Sequence, residues 1–196
     1  WAPWKRSLPS PALDPMRVVV APFENRTGDP SLESFGALIS EAVTRDASLA
    51  GGMTVIPGTF SIGEGGSRSG GDVLVSLARA NGAELVVSGA YYLTGDDLRI
   101  QSQLFDAARG SVVLTFQPII GDSQDRSSLL EPLRQRVLGA VACRPGSAVL
   151  LGLMHTPTLD AYAEYTRGTE QFGRDYAAAV EHFSRSAEID PDFALA

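Results

Sequence analysis

The segment "ENRTGDP" brings Glu24, Asn25, Arg26 and Asp29 within six residues of one another. It supplies two carboxylates, an amide and a guanidinium, a set that can grip a polar ligand. The run before it, "MRVVVAPF" (16–23), is apolar and β-branched and reads as a buried strand. The residues after it recur at helical spacing. The segment therefore sits at the C-terminal end of a strand as the chain enters a helix. Ligands of open α/β sheets bind at such places. Glu24, Asn25, Arg26 and Asp29 are the candidate ligand-binding residues on this ground. Asn25 and Asp29 have a simpler role open to them, because such side chains tie turns by bonding nearby backbone.

The loop "GEGGSRSGGD" (63–72) is the second place where chemistry is conceivable. Its glycines begin a phosphate-cradling pattern, but Arg68 stands where the third glycine of G-x-G-x-x-G belongs. Gly71 stands where a Walker-type lysine would reach the phosphates. A flexible surface loop is the reading this composition supports. Arg68 together with the amides opening a helix at Asp72 offers a weaker site for a small anion.

The remaining reactive residues form no constellation. His155 and His182 are the only histidines, and no Cys, Asp or Glu stands at metal-ligand spacing around them. No metal or cofactor is expected. Asp96-Asp97 lies in a hairpin turn. No G-x-S-x-G elbow and no kinase motif is present. Cys143, the single cysteine, has small and apolar neighbours and reads as a buried structural thiol. The chain is therefore not expected to be an enzyme.

Leu32, Phe35, Leu38, Ile39, Ala42 and Val43 recur at helical spacing and predict a first helix. "MTVIPG" (53–58) predicts a second strand, and Asp72 caps a second helix ended by Asn81-Gly82. A three-stranded meander follows, "AELVVSGAYYL", "LRIQSQLFD" and "SVVLTFQPI". Its alternation marks a sheet with one covered and one solvated face. Tyr91 and Tyr92, as neighbours in a strand, must face opposite sides. A third helix is expected over 125–142. The order β-α-β-α-β-β-β-α implies an α/β (α+β) fold with a mixed β-sheet of about five strands and helices packed on one face of it.

The tail, 159–196, reads as a helical hairpin. Its first helix is expected from Leu159 to Arg174 with Tyr162, Ala163, Thr166 and Gly168 inward. Its second carries Tyr176, Ala179, Val180, Phe183 and Ala187 and stops at Asp190-Pro191, with His182 on the outer face. Gly168, Ala179, Phe183 and Pro191 resemble the packing positions of a tetratricopeptide repeat, with Ser186 where that motif has Ala. One such repeat cannot bury its own apolar face. "FALA" (193–196) would open the next repeat, so the chain is expected to be a piece of a longer protein.

The front part is similar to a known family as well. "VVVAPFENRTGDPSLESFGALISEAVTRDAS" and "GAELVVSGAYYLTGDDLRIQSQLFDAARGSVV" resemble the TolB amino-terminal-like domain. The likeness rests on the "PFEN…GDP" turn, the GA-x-x-V-V-x-G strand and the "LFDAARG" turn. It implies a domain that precedes tetratricopeptide repeats in bacterial membrane-anchored serine/threonine kinases, class III adenylate cyclases and winged-helix regulators. The expected division is a juxtamembrane or interdomain linker (1–15), the α/β domain (16–145), a hinge (146–158) and the first repeat (159–196). The implied function is a non-catalytic sensory and protein-interaction region, most simply of such a kinase. The alternative is a small-molecule-binding regulatory domain.

Charge narrows the partners. The formal net charge of -7 lacks the cationic surface that a nucleic-acid binder needs. A protein or peptide partner through the repeat region is expected instead, and a homodimer is compatible with the sequence. Trp1, Trp4, Lys5 and Arg6 look like the flank of a membrane helix or like a plain linker. No run in this chain spans a bilayer, so any anchor lies outside it. Lys5 and Arg6 vote for the cytoplasmic side. The resemblance to anchored kinases points to the extracytoplasmic side of a bacterial membrane, with a single-pass anchor, and that is the expectation adopted.

Overall fold

The computed structural model describes residues 12–45, 53–58, 70–143 and 157–193. The α/β part is built on a mixed sheet of seven strands in the order β3-β1-β4-β5-β6, with β2 added to β4 and β7 to β5. Strand β1 (Asp14–Val20) lies between β3 (Thr54–Pro57) and β4 (Ala83–Thr94), parallel to both. Its central position explains the unbroken Val18-Val19-Val20. All three are fully buried, because helices cover both faces of the sheet there.

Those helices correct the one-face expectation. Helix α1 (Phe35–Thr44) and helix α3 (Leu130–Ala142) pack on the face of Val18, Val20, Leu85 and Val87. Helix α2 (Gly70–Asn81) packs on the other face, where Leu77 and Ala78 meet Val19, Val86 and Phe105. The reason is topological. The chain steps from β1 to β3 in one direction and from β3 back across β1 to β4 in the other. Right-handed crossovers made in opposite directions put their helices on opposite faces.

The meander follows the expected order with one strand more than expected, and β2 brings the whole sheet to two more. Strands β4 and β5 (Asp97–Asp106) pair antiparallel from Leu85–Asp106 to Thr94–Asp97. The two-residue turn between them uses Gly95 at φ +66, a conformation that costs a glycine little. The expected strand 111–119 is two strands. Strand β6 (Ser111–Thr115) pairs with the far half of β5, and β7 (Ile119–Asp122) with its near half. Between them Phe116 turns into the core, and Pro118 has no amide to give a ladder. The short β2 (Glu24–Asn25) runs parallel to Ala90–Tyr91. A 3-10 turn (Arg126–Leu129) precedes α3 where one helix was expected.

The tail folds as a hairpin of α4 (Leu159–Gln171) and α5 (Tyr176–Ile189). Helix α4 stops at Gln171, short of Arg174, because Gly173 takes φ +89 and the chain reverses there. The inward set differs from the expected one. Ala161, Glu164, Gly168, Ala179 and Ser186 are buried, whereas Thr166, Tyr176, Val180 and Ala187 are exposed. Ser186 suits its buried place because its hydroxyl donates to the carbonyl of Ala161 at 2.7 Å. Asp190, also buried, accepts from the amide of Thr158 at 2.9 Å and so joins the end of α5 to the start of α4.

The hairpin rests on α3. Leu138 and Ala142 on one side of α3 cluster with Leu159, while Leu133, Val137 and Val141 on the other side face the sheet. Of the segment expected as a hinge, Pro157 and Thr158 are described, and they lie against the backbone of α3 at Gly139. Cys143, where α3 ends, is buried, and its thiol is pushed up to about 12 by desolvation. It is an inert structural thiol, as its neighbours suggested.

His182 corrects another expectation. Its Nδ1 lies 2.8 Å from Oε2 of Glu164, inside the hairpin, while Arg167 pairs with the other carboxylate oxygen. The bond from His182 is the largest cause holding the Glu164 carboxyl below its usual range, against the desolvation that opposes it. A carboxyl whose folded value is depressed stabilises the fold above its unfolded value of about 4.3 and loses that contribution as pH falls through the folded value. Wild-type chain is thus expected to lose melting temperature more steeply below about pH 4 than Glu164→Gln. Parallel curves in thermal scans from neutral to acid pH would refute this role.

Candidate functional site

The "ENRTGDP" segment is built by its own hydrogen bonds. Strand β2 pairs with β4, and the amide of Arg26 donates to the carbonyl of Tyr91 at 3.0 Å. The Asn25 side-chain oxygen Oδ1 accepts from the amide and hydroxyl of Thr27 at 3.0 and 2.6 Å. Its NH2 group donates to the Asp29 carbonyl at 2.8 Å and to Glu33 at 3.2 Å. Asp29 caps the turn at 30–32 by accepting from the Ser31 amide at 2.9 Å. Bonds from Ser31 hold its carboxyl below the usual carboxylate range. Asn25 and Asp29 thus spend their polar atoms on the turn itself.

Glu24 and Arg26 point elsewhere. They pair at 2.8 Å, both more than half exposed, and Arg26 also donates to the hydroxyl of Tyr92 at 3.4 Å. Both line a groove of about 910 Å³. Arg68, the fifth candidate, lies outside the described residues.

The groove exists because α2 covers only half of its face of the sheet. Positions 86, 88, 90 and 92 of β4 and 99, 101, 103 and 105 of β5 share that face by strand alternation. Leu77 and Ala78 of α2 cluster with Val86 and Phe105. Beyond them Ser88, Ala90, Gln101, Gln103 and, from β6, Thr115 form an open floor. The first residues of α2 contribute Val73 and Leu74, the β1–β2 connection contributes Pro22 and Phe23, and the segment before α1 contributes Glu33. Gln103 donates to Ser88 at 3.2 Å. Gln101 and Thr115 make no side-chain hydrogen bond among the described residues.

Tyr91 and Tyr92 face opposite sides, as strand geometry requires. Tyr91 is fully buried, edge-on to Phe35 at 5.4 Å, and its hydroxyl donates to the Leu32 carbonyl at 2.7 Å. It fastens the turn to the sheet, and burial raises its hydroxyl above the usual phenol range. Tyr92 belongs to the groove. Sequence reading missed the floor residues as a site. The signal was present as the polar alternation Gln101, Gln103 on β5, which any solvated strand also shows.

The repeat-packing candidates meet within the hairpin in part. The Phe183 ring lies against Gly168, where a Cβ would come within 2.7 Å of it, and Ala179 is fully buried. Pro191 follows the last turn of α5 and is exposed. At the turn end of the hairpin, Phe172 (64% exposed), Tyr176 (70%) and Val180 (48%) form an exposed apolar ridge, with the rings of Phe172 and Tyr176 6.1 Å apart. No helix among the described residues is long and apolar enough to cross a membrane, and no group of His, Cys, Asp and Glu among them is placed to hold a metal.

The fold and these surfaces define a mixed-sheet α/β domain with a docked helical hairpin. No protein-family model and no curated protein matches the sequence. Solved structures similar to it include TolB from Acinetobacter baumannii, at 18% identity and a TM-score of 0.41, covering 70% of this chain and 28% of that one. A PelC dodecamer from Paraburkholderia phytofirmans is similar at 24% identity and a TM-score of 0.43, over 67% of this chain and 91% of that one. The LpoB C-terminal domain from Salmonella enterica is similar at 15% identity and 0.41, over 60% and 87%.

Proposed function

We propose that this chain is the non-catalytic sensory and protein-interaction region of a bacterial signalling protein, and that the helical hairpin carries the interaction. The observation behind this reading is the ridge of Phe172, Tyr176 and Val180. Tyr176 and Val180 lie one turn apart on α5 and Phe172 lies beside Tyr176 from the turn, so three large exposed apolar side chains mark a surface made to be covered. The packing of Gly168, Ala179 and Phe183 supports reading the hairpin as a tetratricopeptide repeat, a module that recognises proteins and peptides. The residue resemblance to the TolB amino-terminal-like domain adds the setting, a membrane-anchored serine/threonine kinase with this region on the extracytoplasmic side.

The experiment is photo-crosslinking in cells from a benzophenone amino acid placed at Tyr176 of the parent protein, with Glu84 on the α/β part as the control position. One dominant adduct from position 176, lost on Phe172→Ser, is the expected result. Equal labelling from both positions, or none from 176, would overturn the reading. An alkaline-phosphatase fusion after Ala196 reads the membrane side. An inactive phosphatase together with an active cytoplasmic reporter at the same point would place the region inside.

A further inference from the structure

We infer that the groove over β4 and β5 is a separate binding site, for a neutral oligosaccharide. The inference goes beyond the hairpin's role and does not rest on it. Its starting point is the chemistry of the floor. Ser88, Gln101, Gln103, Thr115 and Tyr92 offer hydroxyls and amides with no formal charge. Each side-chain amide presents a donor and an acceptor in one plane, the pattern that matches adjacent hydroxyls of a sugar ring. The Gln103–Ser88 bond leaves the carbonyl oxygen of the one and the hydroxyl hydrogen of the other unspent. Beside this polar strip lie Pro22, Val73 and Leu74, partly exposed apolar surface for the C–H faces of the same rings. A few fixed polar groups set into a mainly apolar cleft of this size is the usual make-up of a small-ligand site.

Other ligands fit less well. An anion would meet Glu24 and Glu33, and Arg26, the lining cation among the described residues, is already paired with Glu24. An extended peptide joins a sheet through main-chain bonds at an edge. Here the backbone bonds of β4 and β5 are used within the sheet, and what faces the groove is side chains. A plain solvated sheet face would carry its polar residues outward in water. In this groove Ser88 and Ala90 are only 8% and 9% exposed, and no helix among the described residues crosses them.

The test is titration of the chain with cellohexaose, maltohexaose and chitohexaose, and with hexagalacturonate as a charged control, followed by backbone amide shifts in NMR. At least one neutral hexasaccharide is expected to shift the amides of 88–92 and 101–103 saturably. The double variant Gln101→Ala, Gln103→Ala is expected to weaken that binding at least about tenfold. Gln101 is exposed, so Gln101→Ala alone carries the test if loss of the Gln103–Ser88 bond disturbs the fold. Tyr176→Ala should leave binding unchanged, which separates this site from the hairpin. The inference is overturned by no saturable shift from any neutral sugar at about 10 mM, by tighter binding of hexagalacturonate, or by affinity indifferent to Gln101.

Discussion

Gly139→Ala is expected to release the helical hairpin from the α/β domain. A Cβ at 139 would lie 2.1 Å from the carbonyl oxygen of Pro157, 2.9 Å from the carbonyl carbon of Thr158 and 3.0 Å from the amide nitrogen of Leu159. All three are backbone atoms, so no side chain can swing away, and α4 must move off α3. The effect has a sign that decides the matter. In an ordinary helix interior Gly→Ala stabilises by roughly 1 kcal/mol through propensity. Forcing an extra carbon into a filled contact costs about 1–3 kcal/mol, and here it also uncovers Leu138 and Leu159. We expect a net loss of about 1–2 kcal/mol in hairpin docking, seen as faster amide exchange across 159–189 with little change in the sheet. A rise in melting temperature with unchanged exchange would mean that the two bodies do not meet at Gly139.

Gly36→Ala should do more damage, because the clash lies in the main core. Its Cβ would sit 2.0 Å from the carbonyl oxygen of Phe23, while the Phe23 amide donates to the Gly36 carbonyl at 3.3 Å. Helix α1 therefore crosses the β1–β2 connection backbone to backbone. Moving it away opens the cluster of Phe35, Ile39 and Val43 against Val18 and Val20. Against a propensity gain of roughly 1 kcal/mol, the net loss is expected to reach about 2–3 kcal/mol, a large part of a domain's stability. Phe23, Glu24 and Arg26 line the groove, so the sugar binding inferred for it should weaken together with stability. Denaturant titration measures the first effect. A midpoint equal to or above the wild type would show that the close approach is absent.

Much of the architecture could be read from residue order. Val18-Val19-Val20 announced a buried strand, though not the helices on both of its faces, and the alternation in 98–106 announced one covered on a single side. Gly95 and Gly110 stood where the hairpin turns needed positive φ, and both take it. These features are local, since side-chain period and turn chemistry depend on a few neighbours. Thr166 shows the limit. Helical spacing alone put it inward, but which arc of α4 is buried depends on where α3 and α5 lie, and they left Thr166 in water.

The candidate site divides the same way. The sequence by itself determined that Asn25 and Asp29 could tie the turn and that Tyr91 and Tyr92 must part company, because both follow from covalent neighbours. Only the tertiary structure decided that Glu24 and Arg26 share a groove with Gln101 and Gln103, residues more than seventy positions away. It alone put His182 against Glu164 and Gly139 against Pro157. Contacts of that kind depend on which face each crossover places its helix and on how closely two backbones approach. Those are properties of the assembled layers, and no short window of residues contains them.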